Sequence, residues 1–257
     1  MPVNPPSDLP RRRQRLLWRI HRHYQTVTGP LIIQDLSLPF TRIADPDVVL
    51  DQVAAQEDLR LRWEAADAPP SSAPEPLHLP YWAELWDSAL GLGTFLVHHY
   101  RQRLAAMQVL DLGCGMGLAG TVAAALGAQV TLADLENPAL LFAALNSLPY
   151  RGRVTLRQLD WRTDQLHRTF GLLLGSDILY ERAQWPYLET FWRRHLDPRG
   201  NVLLGEPGRQ TGDGFIEWIQ QQGWSLRQHQ QPIPTRSAPI RLFELTRPMR
   251  SWVRNTD

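Results

Sequence analysis

The stretch Asp-Leu-Gly-Cys-Gly-Met-Gly, residues 111 to 117, limits what this chain can fold into more than any other. Val109, Leu110 and Leu112 form a short apolar run that ends in glycines, which reads as a buried parallel strand entering a tight turn. The run from Leu118 to Leu126 beyond it has helical composition. Gly113, Gly115 and Gly117 open backbone angles closed to other residues and let a ligand approach the main chain, while the helix start offers free N–H groups. A strand, a glycine turn and a helix in this order hold a nucleotide-like ligand.

Two ligands compete for such a turn. Gly115, Gly117 and Gly120 spell a formal G-x-G-x-x-G, the dinucleotide fingerprint. Asp111 argues the other way, because a carboxylate at the strand end just before the first glycine repels a pyrophosphate and attracts a cation. S-adenosyl-L-methionine carries both a sulfonium and an ammonium, and is the expected cofactor, with S-adenosyl-L-homocysteine as its product.

With 43% hydrophobic and 21% charged residues over 257, the chain is expected to be globular and large enough for a proper core. A net charge of +1 makes no general case for nucleic acid or anionic membrane, and the 27 basic residues are all arginine. The single cysteine, Cys114, excludes an intramolecular disulfide and fits a reducing compartment. Inside the glycine loop it reads as a small, poorly nucleophilic filler. No apolar run spans a bilayer and the N-terminus lacks the apolar block of a secretory signal, so a cytoplasmic protein is expected. The eight histidines, His98-His99 and the His21/His23 pair included, lack the partners of a metal site.

Three regions are expected. Residues 1–64 form an N-terminal arm or cap, 65–76 a proline-, alanine- and serine-rich linker, and 77–257 the main domain. Within the arm, residues 1 to 10 hold four prolines and are expected to be disordered. Arg11 to Gln25 place Leu16, Leu17, Ile20 and Tyr24 at helical spacing among arginines; a helix packed on the main domain with a solvated arginine face is expected, with binding of an acidic partner, a membrane surface or nucleic acid as the alternatives. Residues 31 to 64 offer short apolar pieces, prolines and a helix over Asp47 to Trp63, without a core of their own. A helix is then predicted from Trp82 toward Tyr100, with Tyr81, Trp82 and Trp86 as an aromatic wall that attracts a sulfonium or a substrate ammonium.

The rest alternates. Strands are expected at Gln129 to Ala133, Val154 to Leu159, Phe170 to Gly175 and Asn201 to Leu204, with helices at Pro138 to Leu148, Gln184 to His195 and up to about Gln222, and a last strand pair near Trp224 to His229 and Ile240 to Thr246 pairs antiparallel. Ligands in such sheets lie outside the carboxyl ends of the strands. Asp134 there can accept from ribose hydroxyls, Asp160 from an adenine amine, and Trp161 can stack on the ring. Asp177 and Tyr180 follow the next strand and should face the transferred methyl, and Gly205 to Arg209, with Glu206 and Arg209, follow the one after, again at the ligand edge.

Asp111 to Gly117, with Asp134, Asp160-Trp161 and Asp177, resembles the class I, seven-strand S-adenosylmethionine-dependent methyltransferases over roughly Leu77 to Arg247. Trp86-Asp87-Ser88-Ala89 and the Asp177-x-x-Tyr180 motif look like the "family 16" protein lysine methyltransferases. Pro80-Tyr81-Trp82-Ala83 with Trp86 and Gly205 to Arg209 are similar to the electron-transfer-flavoprotein β-subunit lysine methyltransferases, with Glu206 where an aspartate is usual. The resemblance implies a Rossmann-like α/β sheet with helices on both faces and a protein lysine as acceptor. It implies donor binding by Trp86, Asp111, Gly113, Gly115, Gly117, Asp134, Asp160, Trp161 and Ser176, with Asp177 and Tyr180 catalytic and Tyr81, Trp82, Glu206 and Arg209 facing the substrate. A small-molecule methyltransferase, a nicotinamide-dependent oxidoreductase and a non-catalytic binding module remain the alternatives.

Overall fold

A computed structural model describes residues 8–67 and 79–247, and of 57–67 the backbone alone. Most of the proline-rich segment at 65–76 therefore lies outside the described residues, as do residues 1–7. The first helix, α1 (Leu9–His21), already begins within the proline-bearing stretch, because Pro10 stands in its first turn where no intrahelical N–H is needed. It packs against α5 (Asn137–Asn146), burying Ile20 and half-burying Leu16 and Leu17, with its arginines outward.

An antiparallel hairpin, β1 (Thr26–Ile33) and β2 (Leu36–Ile43), follows where the sequence suggested only short apolar pieces. Pro30 lies opposite Pro39, a pairing that only a non-hydrogen-bonded position tolerates, since neither residue has an N–H to exchange. Two residues along, on the same face, the Thr28 and Thr41 hydroxyls bond at 2.8 Å. Ile33, Leu38, Phe40 and Ile43 join the same buried cluster as the sheet's helices. The helix α2 (Pro46–Asp67) runs four residues past its expected end.

The stretch at 81–100 departs from the single predicted helix. A short 3-10 turn covers Tyr81–Ala83, Glu84 and Trp86 are extended at ψ 142° and 137°, and α3 starts only at Asp87 (Asp87–Phe95), running into a π turn at Leu96–Tyr100. An acidic residue in the first turn of α3 suits the positive end of the helix dipole.

The main sheet contains β3 (Gln108–Leu112), β4 (Gln129–Asp134), β5 (Val154–Gln158), β6 (Phe170–Ser176), β7 (Leu196–Glu206), β8 (Ser225–Gln231) and β9 (Ile240–Thr246). Its seven strands lie in the order β5-β4-β3-β6-β7-β9-β8. The first five are mutually parallel, and β9 runs antiparallel to both β7 and β8, as expected for the last pair. Helices α4 (Leu118–Ala125), α5, α6 (Trp185–His195) and α7 (Gln210–Gln221) connect them. Two buried clusters result, one holding Leu92, Val109, Val122 and Phe142, the other Leu173, Trp185, Trp192 and Phe215. This is the Rossmann-like sheet, with its last strand pair antiparallel, that the resemblance implies. Among the described residues no helix is long and apolar enough to cross a membrane.

Asn146 fastens the hairpin to the sheet. Its Oδ1 accepts from the Thr41 N–H at 2.8 Å, while its Nδ2 donates to the carbonyls of Thr41 and Met116 at 3.0 and 2.9 Å. Replacing Asn146 with alanine leaves three buried backbone groups without partners, so urea unfolding should show a loss on the order of 3 kcal/mol. A change within 0.5 kcal/mol would mean that these bonds are dispensable.

Candidate active site

The glycine turn stands at the carboxyl ends of β3 and β4, where the parallel strands open. Gly113, Gly115 and Gly117 all take left-handed φ values of 66°, 52° and 83°. The need for glycine is steric as well at Gly117, where a Cβ would come within 2.9 Å of the Ala143 side chain. Gly117 then caps α4, and the turn closes on itself through a 2.8 Å bond from the Gly117 N–H to the Cys114 carbonyl.

Both flanking carboxylates are tied to backbone N–H groups. Asp111 is 1% exposed, and its Oδ2 accepts from Gly120 at 2.8 Å while its Oδ1 is buried without a hydrogen-bond partner among the described residues. Asp134 accepts from Gly115 at 2.8 Å and from Glu136 at 2.9 Å, so it pins the turn to the end of β4. That anchoring role was not anticipated from sequence. Burial pushes Asp111 up to about 7, helped by the charge of Asp134, and pushes Asp134 up to about 6. The Cys114 thiol is raised as well, by burial and by both carboxylates, which suits an inert filler.

Trp161 lies over the turn, its ring 3.4 Å from where a Gly113 Cβ would stand, and its Nε1 donates to Gln184 at 3.1 Å. Asp160 is engaged by the Arg162 guanidinium through both oxygens, at 2.7 to 3.0 Å. Ser176 ends β6 with a buried hydroxyl that has no hydrogen-bond partner among the described residues. Asp177 follows with a left-handed φ of 55°, unusual for a residue with a side chain, held by its own N–H bonded to Gly205 at 2.9 Å.

Asp177 belongs to a second group of side chains. Arg209 donates to its Oδ2 at 2.9 Å and lies over the Trp86 ring at 5.4 Å. Tyr81 touches both Trp86 and Tyr180 edge-on, with centroids 6.4 and 5.2 Å apart, and Trp86 donates to the Tyr81 carbonyl at 2.8 Å. Burial raises Asp177 against the opposing pull of Arg209, and raises the Tyr180 phenol to about 12. Tyr180 therefore stays protonated at neutral pH. An acidic, aromatic-walled recess around a guanidinium is chemically a cation site.

Two residues expected to face a substrate are elsewhere. Trp82 is 8% exposed and packs against Tyr24 and Phe142, because the break in helical geometry at the extended Glu84 and Trp86 puts it out of phase with Trp86. Glu206 is 2% exposed and spends its carboxylate on the N–H groups of Gly208 and Arg209 and on the Arg241 guanidinium. It holds the 205–209 loop from beneath. Trp86, expected on the donor side, stands with Arg209 and Tyr81. Sequence reasoning missed Arg241 and also Glu84, whose charge bears on Asp177; Arg241 lies in a strand and Glu84 beside the aromatic motif, and neither carries a motif of its own.

The raised pKa of Asp111 has a measurable sign. Its folded-state value lies above the ordinary 3.8, so between 3.8 and about 7 the folded chain holds a proton that the unfolded chain releases, and stability falls as pH rises through that window. Asp111→Asn keeps the acceptor for Gly120 and removes the charge. Its stability relative to wild type should rise with pH and level off above 7, reaching on the order of 4 kcal/mol in denaturant titrations. A difference independent of pH would contradict the placement of a buried charge there.

The model of a family described as "Lysine methyltransferase" matches residues 81–222, more than half of the 257. Among curated relatives, Protein N-lysine methyltransferase METTL21A of Xenopus tropicalis is 37% identical over 133 residues, 48% of this chain and 58% of that protein. The Electron transfer flavoprotein beta subunit lysine methyltransferase of Danio rerio is 31% identical over 136 residues, 51% of each chain. The chain thus spans little more than half the length of the curated relatives it matches. Among solved structures, the magnesium protoporphyrin IX methyltransferase (ChlM) of Synechocystis PCC 6803 with bound SAM superposes with a TM-score of 0.52 at 18% identity, covering 80% of this chain and 98% of that one. That likeness establishes the fold. The family match, falling on the segment that carries the turn, the Asp177 recess and the sheet between them, shows that the chain belongs to the lysine methyltransferase family.

Proposed function

We propose that the chain is an S-adenosyl-L-methionine-dependent N-methyltransferase that methylates a lysine side chain of a protein, acting in the cytoplasm. The observation that carries the reading is the pairing of two cation-seeking places at one sheet edge: the buried carboxylates around the glycine turn, and the Asp177 recess that already holds a guanidinium. Family membership and the names of the relatives support it. The orphaned Asp111 Oδ1 and Ser176 Oγ fit a donor that brings ammonium and hydroxyl groups, and two carboxylates beside the turn disfavour a diphosphate.

In this reading Asp111, Gly113, Gly115, Gly117, Asp134, Asp160, Trp161 and Ser176 hold the donor. The donor supplies an already activated methyl group, so the protein's task is to position the acceptor and exclude water. Asp177 orients the acceptor ammonium in place of the Arg209 guanidinium, and Tyr81, Tyr180 and Trp86 wall its path. Neither Asp177 nor Tyr180 has to act as the base. A carboxylate favours the charged amine, the phenol is too weak an acid to be ionised, and Nζ can lose its proton to water before the cleft closes.

Incubating the protein with radiolabelled donor and a cell lysate should place label in the protein fraction and on lysine after hydrolysis. Label confined to small molecules would refute the protein-substrate reading. Asp177→Ala should lower kcat by at least tenfold while donor affinity changes less than threefold; the reverse pattern would move Asp177 to the donor side.

A further inference from the structure

A second cleft, about 500 Å³ in volume, lies between α1, the end of α5 and the edge strand β5. Four arginines rim it. Arg12, Arg15 and Arg19 share one stripe of α1 at spacings of three and four residues, and Arg151 faces them from the turn before β5. Its floor is aliphatic, with Leu16, Leu148 and Leu156 in it, and Leu156 is 39% exposed. A carboxylate already sits at one end. Asp8 bonds Arg12 and approaches Arg151 to 3.5 Å, whereas Arg15 and Arg19 have no carboxylate partner among the described residues.

We propose that this groove docks an acidic segment of a partner protein, with an apolar side chain of that segment set among the leucines and its carboxylates on Arg15, Arg19 and Arg151. The chemistry is that of Asp8, repeated along the helix. An aliphatic floor favours a polypeptide over a single-stranded nucleic acid, which binds by stacking bases on aromatic rings, and none of the residues lining the groove is aromatic. Position matters too. Val154, at the mouth of the groove, pairs with Val130 at the start of β4, whereas the glycine turn stands at the opposite end of that strand, against Asp134. A docked partner therefore leaves the methyl-transfer cleft open, and the inference does not depend on which methyl acceptor is used.

Fluorescence anisotropy with the full chain tests it, using a labelled peptide of alternating glutamate and leucine, an all-glutamate peptide of equal charge and a single-stranded oligonucleotide of equal charge. The alternating peptide should bind best, and weaken with added salt. The triple variant Arg15→Gln, Arg19→Gln, Arg151→Gln should bind it at least tenfold less tightly, and Leu156→Ser at least threefold less, both with unchanged melting temperature and unchanged affinity for S-adenosyl-L-homocysteine. Equal binding by wild type and triple variant, or no binding to either, would overturn the proposal. So would tighter binding of the oligonucleotide that is lost in the triple variant, which would assign the groove to nucleic acid.

Discussion

Two carboxylates held out of water against the backbone of one glycine turn set the terms for the rest of the molecule. Asp111 and Asp134 leave β3 and β4 at the same sheet edge and accept from Gly120 and Gly115 at 2.8 Å. A buried negative charge is unfavourable unless something positive compensates it, and among the described residues the compensation here comes from backbone N–H groups. The raised pKa values of both groups record that shortfall. In the proposed reading a positively charged donor makes it up, so the cost of burying these acids in the ligand-free chain is the source of selectivity for a cation.

The facing half of the cleft is built differently. Arg241 and the buried Glu206 lock the backbone of the 205–209 loop, which leaves the Arg209 side chain directed at Asp177. Asp177 in turn is held in a strained left-handed conformation by Gly205 of the same neighbouring segment. The recess is thus organised around a guanidinium, and in the proposed reading the acceptor has to compete with that group.

Much of this was legible in the chain. Parallel strands show as apolar runs ending in a carboxylate or a glycine cluster, so the position of Asp111, Asp134, Asp177 and the turn glycines at the carboxyl ends of β3, β4 and β6 could be read without coordinates. What stayed hidden depends on backbone geometry that side-chain periodicity does not encode. Trp82 and Trp86 have helical spacing, but the 3-10 turn ends at Ala83 and Glu84 and Trp86 are extended, which sends one ring into the core against Tyr24 and Phe142 and the other to Arg209. Glu206 looks like an acid at the ligand edge, and only its three partners reveal a strut. The first hairpin escaped notice because its prolines read as breakers, whereas they face each other where no hydrogen bond is required.

Calorimetric titration of the ligand-free protein with S-adenosyl-L-homocysteine and, separately, with nicotinamide adenine dinucleotide tests the central claim most directly. The account predicts saturable binding of the first, at least a hundredfold tighter than the second, and weakened when pH falls below the value of about 7 at which Asp111 takes up its proton. Tight binding of the dinucleotide, with none of the adenosyl thioether, would contradict it.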